Sequence, residues 1–174
     1  MSAQYQTLRE YQDDLLARME AAHKEGAAEK IMMLGFVSGG RHYLIDGRDV
    51  VELHQPSTLE PIPVAKPWAV GAANIKGTVH AITDFSILMG GERTKRGKFL
   101  VLAPEIMAGS AINIDTISGL YDLKEIGELN PGKEDAMPQW ISGHYALGQT
   151  YFLVDTAKLV VDTRFSNLQS GESQ

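Results

Sequence analysis

Residues 67–89 read PWAVGAANIKGTVHAITDFSILM, and residues 138–159 read PQWISGHYALGQTYFLVDTAKL. Each stretch runs from a tryptophan to a glycine three residues on, through a second glycine and an apolar run, to an aspartate with a leucine four residues beyond. Trp68 to Asp84 spans sixteen positions, and Trp140 to Asp155 spans fifteen. A chain that writes the same strand-turn-strand unit twice is expected to build two stacked halves over one core. Two halves with a cleft between them suggest a binding platform before a catalyst.

Outward from these copies the chain reads as short strands. Leu34–Val37 and Tyr43–Ile45 flank Ser38-Gly39-Gly40-Arg41, and the Gly-Gly pair marks a tight hairpin. Asp49–Leu53 follows, short and amphipathic, and Pro61 and Pro63 keep Leu59–Val64 at an edge. Lys98–Ala103 is an apolar run of strand length, and Ala111–Ile117 sets Ile112 and Ile114 against Asn113 and Asp115. Leu120–Leu129 reads as a further strand. Phe85–Met89 reads as a short helix ended by Gly90-Gly91, and Thr156–Arg164 as a closing helix capped by Asp155 or Thr156. Many short strands with glycine turns point to small barrels rather than to a parallel sheet. Ahead of them, Leu8, Tyr11, Leu15, Met19 and Ala22 form an amphipathic helical stripe within residues 3–24, with Thr7 and Glu10 as a capping box and Gly26 as a stop.

Composition narrows the function. The chain has 174 residues, 44% of them hydrophobic, no cysteine and a formal net charge of −6. Thiol chemistry and Cys-based metal sites are excluded, and a general nucleic-acid binder would need a basic face. No apolar run nears the roughly 20 residues of a membrane span, and no signal-peptide pattern opens the chain, so the expected compartment is the cytoplasm. The basic run Arg93-Thr94-Lys95-Arg96-Gly97-Lys98 reads as a solvated loop between the halves. None of His23, His42, His54, His80 and His144 has metal-ligand spacing, and neither a nucleophile elbow nor a phosphate loop is present. Asp84 and Asp155 read as helix caps, ahead of a carboxylate pair. No catalytic residue, metal or cofactor is assigned.

Val70-Gly71-Ala72-Ala73-Asn74-Ile75-Lys76-Gly77-Thr78 and the strand running on to Asp84 resemble the most recognisable segment of the CheW-like adaptors. Val50–Leu53, Leu59–Pro63, Pro67-Trp68, Ala111–Leu120 and Trp140–Leu159 match in order, so the resemblance covers roughly residues 31–163. It implies a mainly β fold of two SH3-like five-stranded barrels packed together, with the N-terminal helix (1–30) and a C-terminal helix added. The CheW-like domain would span 31–167, with a first barrel about 31–92, a second about 97–167 and a disordered tail at 168–174. The resemblance also implies a cytoplasmic, non-enzymatic adaptor without cofactor. It would join the tip of a methyl-accepting chemoreceptor to the regulatory domain of a CheA-type histidine kinase at membrane-associated receptor arrays. The helical extension and the Trp-x-x-Gly start lean toward systems controlling twitching motility by type IV pili. The alternatives are a flagellar-chemotaxis adaptor and, further off, a small-barrel hydrolase or an RNA-binding module. Carried over residue by residue, the receptor-facing set is Val50, Glu52, Leu53, Gly71, Asn74, Ile75, Lys76 and Gly77, in which Val50, Leu53 and Ile75 would offer apolar surface and the glycines close approach. The kinase-facing residues stay unassigned. Lys76 stands where the family commonly has arginine, which keeps the charge and loses the planar fork.

Overall fold

The computed structural model describes residues 8–24, 30–132 and 135–167, with the side chains of 8, 9 and 20–24 left aside. Helix α1 (Leu8–Lys24) precedes ten strands. The first five are β1 (Met32–Ser38), β2 (Arg41–Asp46), β3 (Val50–His54), β4 (Ala69–Ile75) and β5 (Thr78–Asp84). The second five are β6 (Lys98–Leu102), β7 (Ser110–Ile114), β8 (Thr116–Asp122), β9 (Ile141–Ala146) and β10 (Thr150–Val154). Four short helices punctuate them: α2 (Phe85–Leu88), α3 (Pro104–Met107), α4 (Thr156–Val161) and α5 (Thr163–Ser166).

The strands form two five-stranded sheets, ordered β8-β1-β2-β10-β9 and β3-β6-β7-β5-β4. Shifting each strand number by five turns one order into the other, so the repeat seen in the sequence is a repeat in space. The halves are nevertheless interleaved. The hairpin β1–β2 lies between β8 and β10, and the hairpin β6–β7 lies between β3 and β5. This corrects the division into barrels at 31–92 and 97–167, because each sheet takes strands from both ranges. The reason is the parallel pairs β2–β10 and β5–β7. A parallel neighbour needs a long crossover connection, and here that connection runs from one half of the chain into the other.

Interleaving explains the unbroken apolar runs. Tyr43 and Ile45 of β2 and Leu100 and Leu102 of β6 face one shared core between the sheets. Leu44 turns the other way, to a cluster with Met33, Tyr145 and Tyr151 inside the first sheet. Phe99 and Val101 likewise join Ala73, Ile75 and Ile82 inside the second. With both faces buried, these strands lose the alternation of a half-exposed strand. The tip of β1–β2 is Gly39-Gly40, both left-handed at φ 57° and 78°, the geometry of the tight hairpin that the sequence predicts.

Both repeat copies fold alike. The N–H groups of Asp84 and Asp155 each donate to the carbonyl of their own copy's tryptophan, Trp68 and Trp140, at 2.7 Å. Each aspartate then caps the helix that follows, accepting from Ile87 N and Lys158 N at 3.1 Å. Helix α1 lays Leu15, Tyr11 and Met19 on the shared core, so it packs on its own domain. The expected cap at Thr7, the stop at Gly26 and the tail 168–174 lie outside the described residues.

Two expected elements differ. The strand placed at Leu120–Leu129 runs instead from Thr116 to Asp122 and then turns, which lets Leu123 and Ile126 join the core of the first sheet. The closing helix is two helices, because Asp162 adopts an extended backbone and its carboxylate caps α5 on Arg164 N at 2.8 Å. Burial pushes the Asp162 carboxyl up, but the hydrogen bonds and charge of Arg164 outweigh it and hold the group below its usual range. The break turns Phe165 into the shared core, which gives Asp162–Phe165 a structural role.

Asp49 joins the two halves by accepting a hydrogen bond from Thr156. Burial raises its carboxyl above the ordinary value; the Thr156 hydrogen bond opposes this, Asp46 and Asp155 add to the rise, and Arg48 opposes it. A raised folded-state pKa means that the ionised group costs stability above that pKa, and the cost disappears below the unfolded value of about 4. Asp49→Asn is therefore expected to melt higher than wild type at neutral pH, with the gap closing as the buffer approaches pH 4. Thermal melts across that range check it, and a gap that widens on acidification overturns it. The interleaving makes a second expectation. Fragments cut in the loop 92–97 should each lack near-ultraviolet circular dichroism alone and recover it on mixing, since neither carries a whole sheet. A fragment that folds alone contradicts the topology.

Candidate partner-binding site

The turn between β4 and β5 is the most unusual surface of the second sheet. Ile75 pairs with Thr78, so Lys76 and Gly77 are the two central residues, at φ 51° and 86°. Two successive left-handed residues favour Asn-Gly or Gly-Gly; a lysine in that region costs on the order of 1 kcal/mol. Asn74 offsets part of that cost, since its Oδ1 accepts from Gly77 N at 2.8 Å and holds the turn.

From this turn Lys76 Nζ reaches Glu52 Oε1 on β3 at 3.2 Å. Strands β3 and β4 are the outer strands of their sheet, so the pair runs edge to edge and the sheet curls until its rims meet. His54 Nδ1 lies 3.2 Å from the same Glu52 oxygen. The lysine side chain is 69% exposed and that of Glu52 is 13% exposed, so the carboxylate is set and the ammonium is offered. Val51 at 40% and Val79 at 65% stand exposed nearby in sequence, and Val79 is the cross-strand partner of Asn74.

Glu52, Asn74, Lys76 and Gly77 thus gather at one surface. Val50, Leu53 and Ile75 do not share it: each is at most 2% exposed, the first two in the shared core and Ile75 inside the second sheet. The expected apolar groove of these three side chains is overturned. A bulge in β3 between Val50 and Glu52 puts residues three apart on the same inner face and leaves Val51 outside. Gly71 also serves the fold. At φ 150° its missing Cβ would lie 2.8 Å from Leu59 Cβ, and this closeness lets Glu60 bridge to Ala72. Gly143 repeats the arrangement at φ 148°, against Asn130. Val51 and Val79 were missed by the sequence reading; the bulge leaves no residue signature, and Val79 sits in a run too short to assign its faces.

The repeat supplies an internal control. The matching turn of the second copy reads Ala146-Leu147-Gly148-Gln149 and carries no charge. Inside that sheet Tyr121 of β8 and Tyr151 of β10 bring their hydroxyls to 3.0 Å. The fold therefore does not require a charged, strained turn.

The residues weighed for chemistry are engaged elsewhere. Asp84 is fully buried and also accepts from Thr94 N and Oγ1 and from Asn113 Nδ2, at 3.0, 3.2 and 3.4 Å. The Nδ1 atoms of His80 and His144 lie at hydrogen-bond distance from the carbonyls of Thr78 and Gly132. Among the described residues no group of three or more His, Asp or Glu is placed to hold a metal ion, and no helix is long and apolar enough to cross a membrane.

Two interleaved five-stranded sheets that display a charged turn define a small β scaffold. The CheW-like domain family matches residues 32–164, and the chain belongs to that family. It is 28% identical to protein PilI of Pseudomonas aeruginosa over 127 residues, 69% of this chain and 70% of that one. The crystal structure of scaffolding protein TtCheW from Thermoanaerobacter tengcongensis superposes with a TM-score of 0.63 at 14% identity, covering 76% of this chain and 88% of that one.

If Lys76 is held against the preference of its turn, Lys76→Asn should stabilise the protein by about 0.5–1 kcal/mol, a rise of a few degrees in melting temperature. A lower melting temperature would show that the Glu52 contact outweighs the strain. Ile75→Asp should instead destabilise by several kcal/mol, because it buries an unpaired carboxylate, and circular dichroism at room temperature would report the lost fold.

Proposed function

We propose that this protein is a non-enzymatic signalling adaptor that couples the cytoplasmic tip of a methyl-accepting chemoreceptor to the regulatory domain of a CheA-type histidine kinase. Its setting is the cytoplasmic receptor array of a system that controls twitching motility by type IV pili. The observation that carries this reading is the Asn74–Gly77 turn, charged, exposed and strained in one repeat copy although the fold does not demand it. Family membership and the similarity to PilI support the setting.

The receptor side is the surface of Glu52, Asn74 and Lys76 with Val51 and Val79 beside them. A helical receptor tip would lay an apolar stripe on the valines and a carboxylate on Lys76. Lysine offers a point charge where arginine would grip two oxygens, so this contact selects by charge more than by planar geometry. The adaptor transmits only as far as it binds two receptor states unequally; several modest contacts in one array supply the rest by avidity.

The test is a calorimetric titration of the whole protein against the kinase regulatory domain and, separately, a receptor-tip fragment. Micromolar or tighter binding to both is expected. Lys76→Glu should weaken the receptor interaction at least tenfold and leave the kinase interaction unchanged. Adding Glu52→Lys to that variant restores the internal ion pair and should not restore receptor binding. Rescue by the double variant would reduce the turn to a structural closure, and absence of kinase binding by folded partners would defeat the adaptor reading.

A further inference from the structure

The two copies differ in what surrounds their aspartates. Asp84 is closed in by Thr94 and Asn113, which donate to both of its oxygens. Asp155 accepts from Lys158 N at Oδ1, and among the described residues its Oδ2 has no donor. It lines a cavity of about 290 Å³ at one end of the first sheet, where β1 and β9 begin and β2 and β10 end. Asp46 and Asp49 line the same cavity, and Arg48 is the one cation among its described lining. That guanidinium is taken by Asp46, whose two oxygens it grips through Nε and Nη2 at 3.1 and 2.7 Å. Asp49 accepts from the Thr156 hydroxyl at Oδ2, and its Oδ1 is without a donor. Among the described residues neither Asp49 nor Asp155 forms an ion pair.

Tyr145 of β9 lines the cavity from inside the sheet. It is 6% exposed, and its hydroxyl has no hydrogen-bond partner among the described residues. Burial alone raises its phenol above the ordinary value. Tyr121 and Tyr151 of the same sheet satisfy each other, so an unpaired hydroxyl is particular to the cavity. Ile31, Leu123 and Leu153, each half-buried, give it an apolar wall. Burial first, and then Asp46 and Asp155 against the Thr156 hydrogen bond and Arg48, hold the Asp49 carboxyl above its usual value, as befits a negative cluster short of a cation.

We propose that this cavity binds an organic cation, a guanidinium or ammonium group on a short aliphatic stem. Its N–H groups donate to Asp49 Oδ1, Asp155 Oδ2 and the Tyr145 hydroxyl, and its stem lies on Ile31, Leu123 and Leu153. The unpaired carboxylates select positive charge, and hydrogen bonds to an ionised acceptor are the strong ones. A metal ion would need its oxygen ligands within about 2.0–2.6 Å, and among the described residues no three carboxylates or histidines are so placed. An organic cation instead carries donors far enough apart to reach separate carboxylates. Holding Asp49 ionised costs the fold stability, and a bound cation would offset that cost. The site shares no residue with the Glu52–Lys76 surface, and its test is independent of the adaptor reading.

The experiment is a calorimetric titration of the whole protein with agmatine at low ionic strength. Saturable binding that weakens with salt is expected. Asp49→Asn, which should melt higher than wild type, should lose about tenfold in affinity. Tyr145→Phe should lose about threefold, and both variants should keep the circular dichroism of wild type. Tetramethylammonium, which has the charge and no N–H, should bind at least about fivefold more weakly. Nα-acetylarginine N-methylamide separates the sources of the cation. Binding like that of agmatine points to a polypeptide side chain and binding of agmatine alone to a free amine; either agrees with the proposal. The proposal is overturned if neither probe binds, if either folded variant keeps wild-type affinity, if tetramethylammonium binds equally well, or if Mg²⁺ binds more tightly.

Discussion

The shared apolar layer between the two sheets is the constraint on which everything else rests. At its centre Phe36, Tyr43 and Phe85 meet with ring centroids 4.8 to 5.3 Å apart, and Trp140 reaches Phe85 at 5.6 Å. Those four side chains come from β1, β2, the start of α2 and the residue before β9, so both halves of the chain must be present for the layer to close. Phe85 enters it because Asp84, one residue earlier, ends β5 and caps α2. The buried carboxylate therefore does positional work: it fixes the strand end, the helix start, the aromatic that follows and, through Thr94, the loop leading to the second half.

Comparing the two copies separates what the fold demands from what it tolerates. The tryptophan carbonyl, the aspartate cap, the glycine at φ near 150° and the bridge beside it occur twice, at corresponding places. Each is explained by strand pairing and helix capping. The Lys76 turn and the basic loop at 92–97 occur once, and neither is explained that way. Asp84 makes the same point within one side chain. Its cap on Ile87 is matched by Asp155 on Lys158, whereas among the described residues its bonds to Thr94 and Asn113 have no counterpart at Asp155.

The sequence carried what local chemistry encodes. Gly39-Gly40 announced a hairpin because only such residues suit two left-handed positions, and Asp84 and Asp155 announced caps because a short carboxylate satisfies the open N–H groups of a helix start. The repeat announced two similar halves. Partner choice was silent: a strand such as β6, apolar on both faces, does not say which half completes its sheet. The bulge in β3 was equally silent, and it alone reversed the reading of Val50 and Leu53 from surface to core. Of the site, the charges Glu52 and Lys76 with Asn74 and Gly77 were legible, since a polar turn motif is readable wherever it lies. Its apolar part was not, because which valine points outward depends on register.

Interleaving also limits how such a protein can pass a signal. A joint between two independent barrels could bend, and a bound partner on one could be felt through the angle to the other. Here each sheet holds a hairpin of the opposite half, and the layer between them is built of aromatic rings in mutual contact, a close-packed interior that resists continuous deformation. Relative motion of the two halves of the chain would have to break strand pairing in both sheets. A body of that stiffness transmits by position: what it can offer is a fixed spacing between the Lys76 turn and any second contact surface. In the adaptor role proposed above, the free energy of signalling would come from partners that fit that spacing differently in their own two states, and the strain stored at Lys76 suits that role, because a presenting side chain is useful only if it stays where the turn has put it.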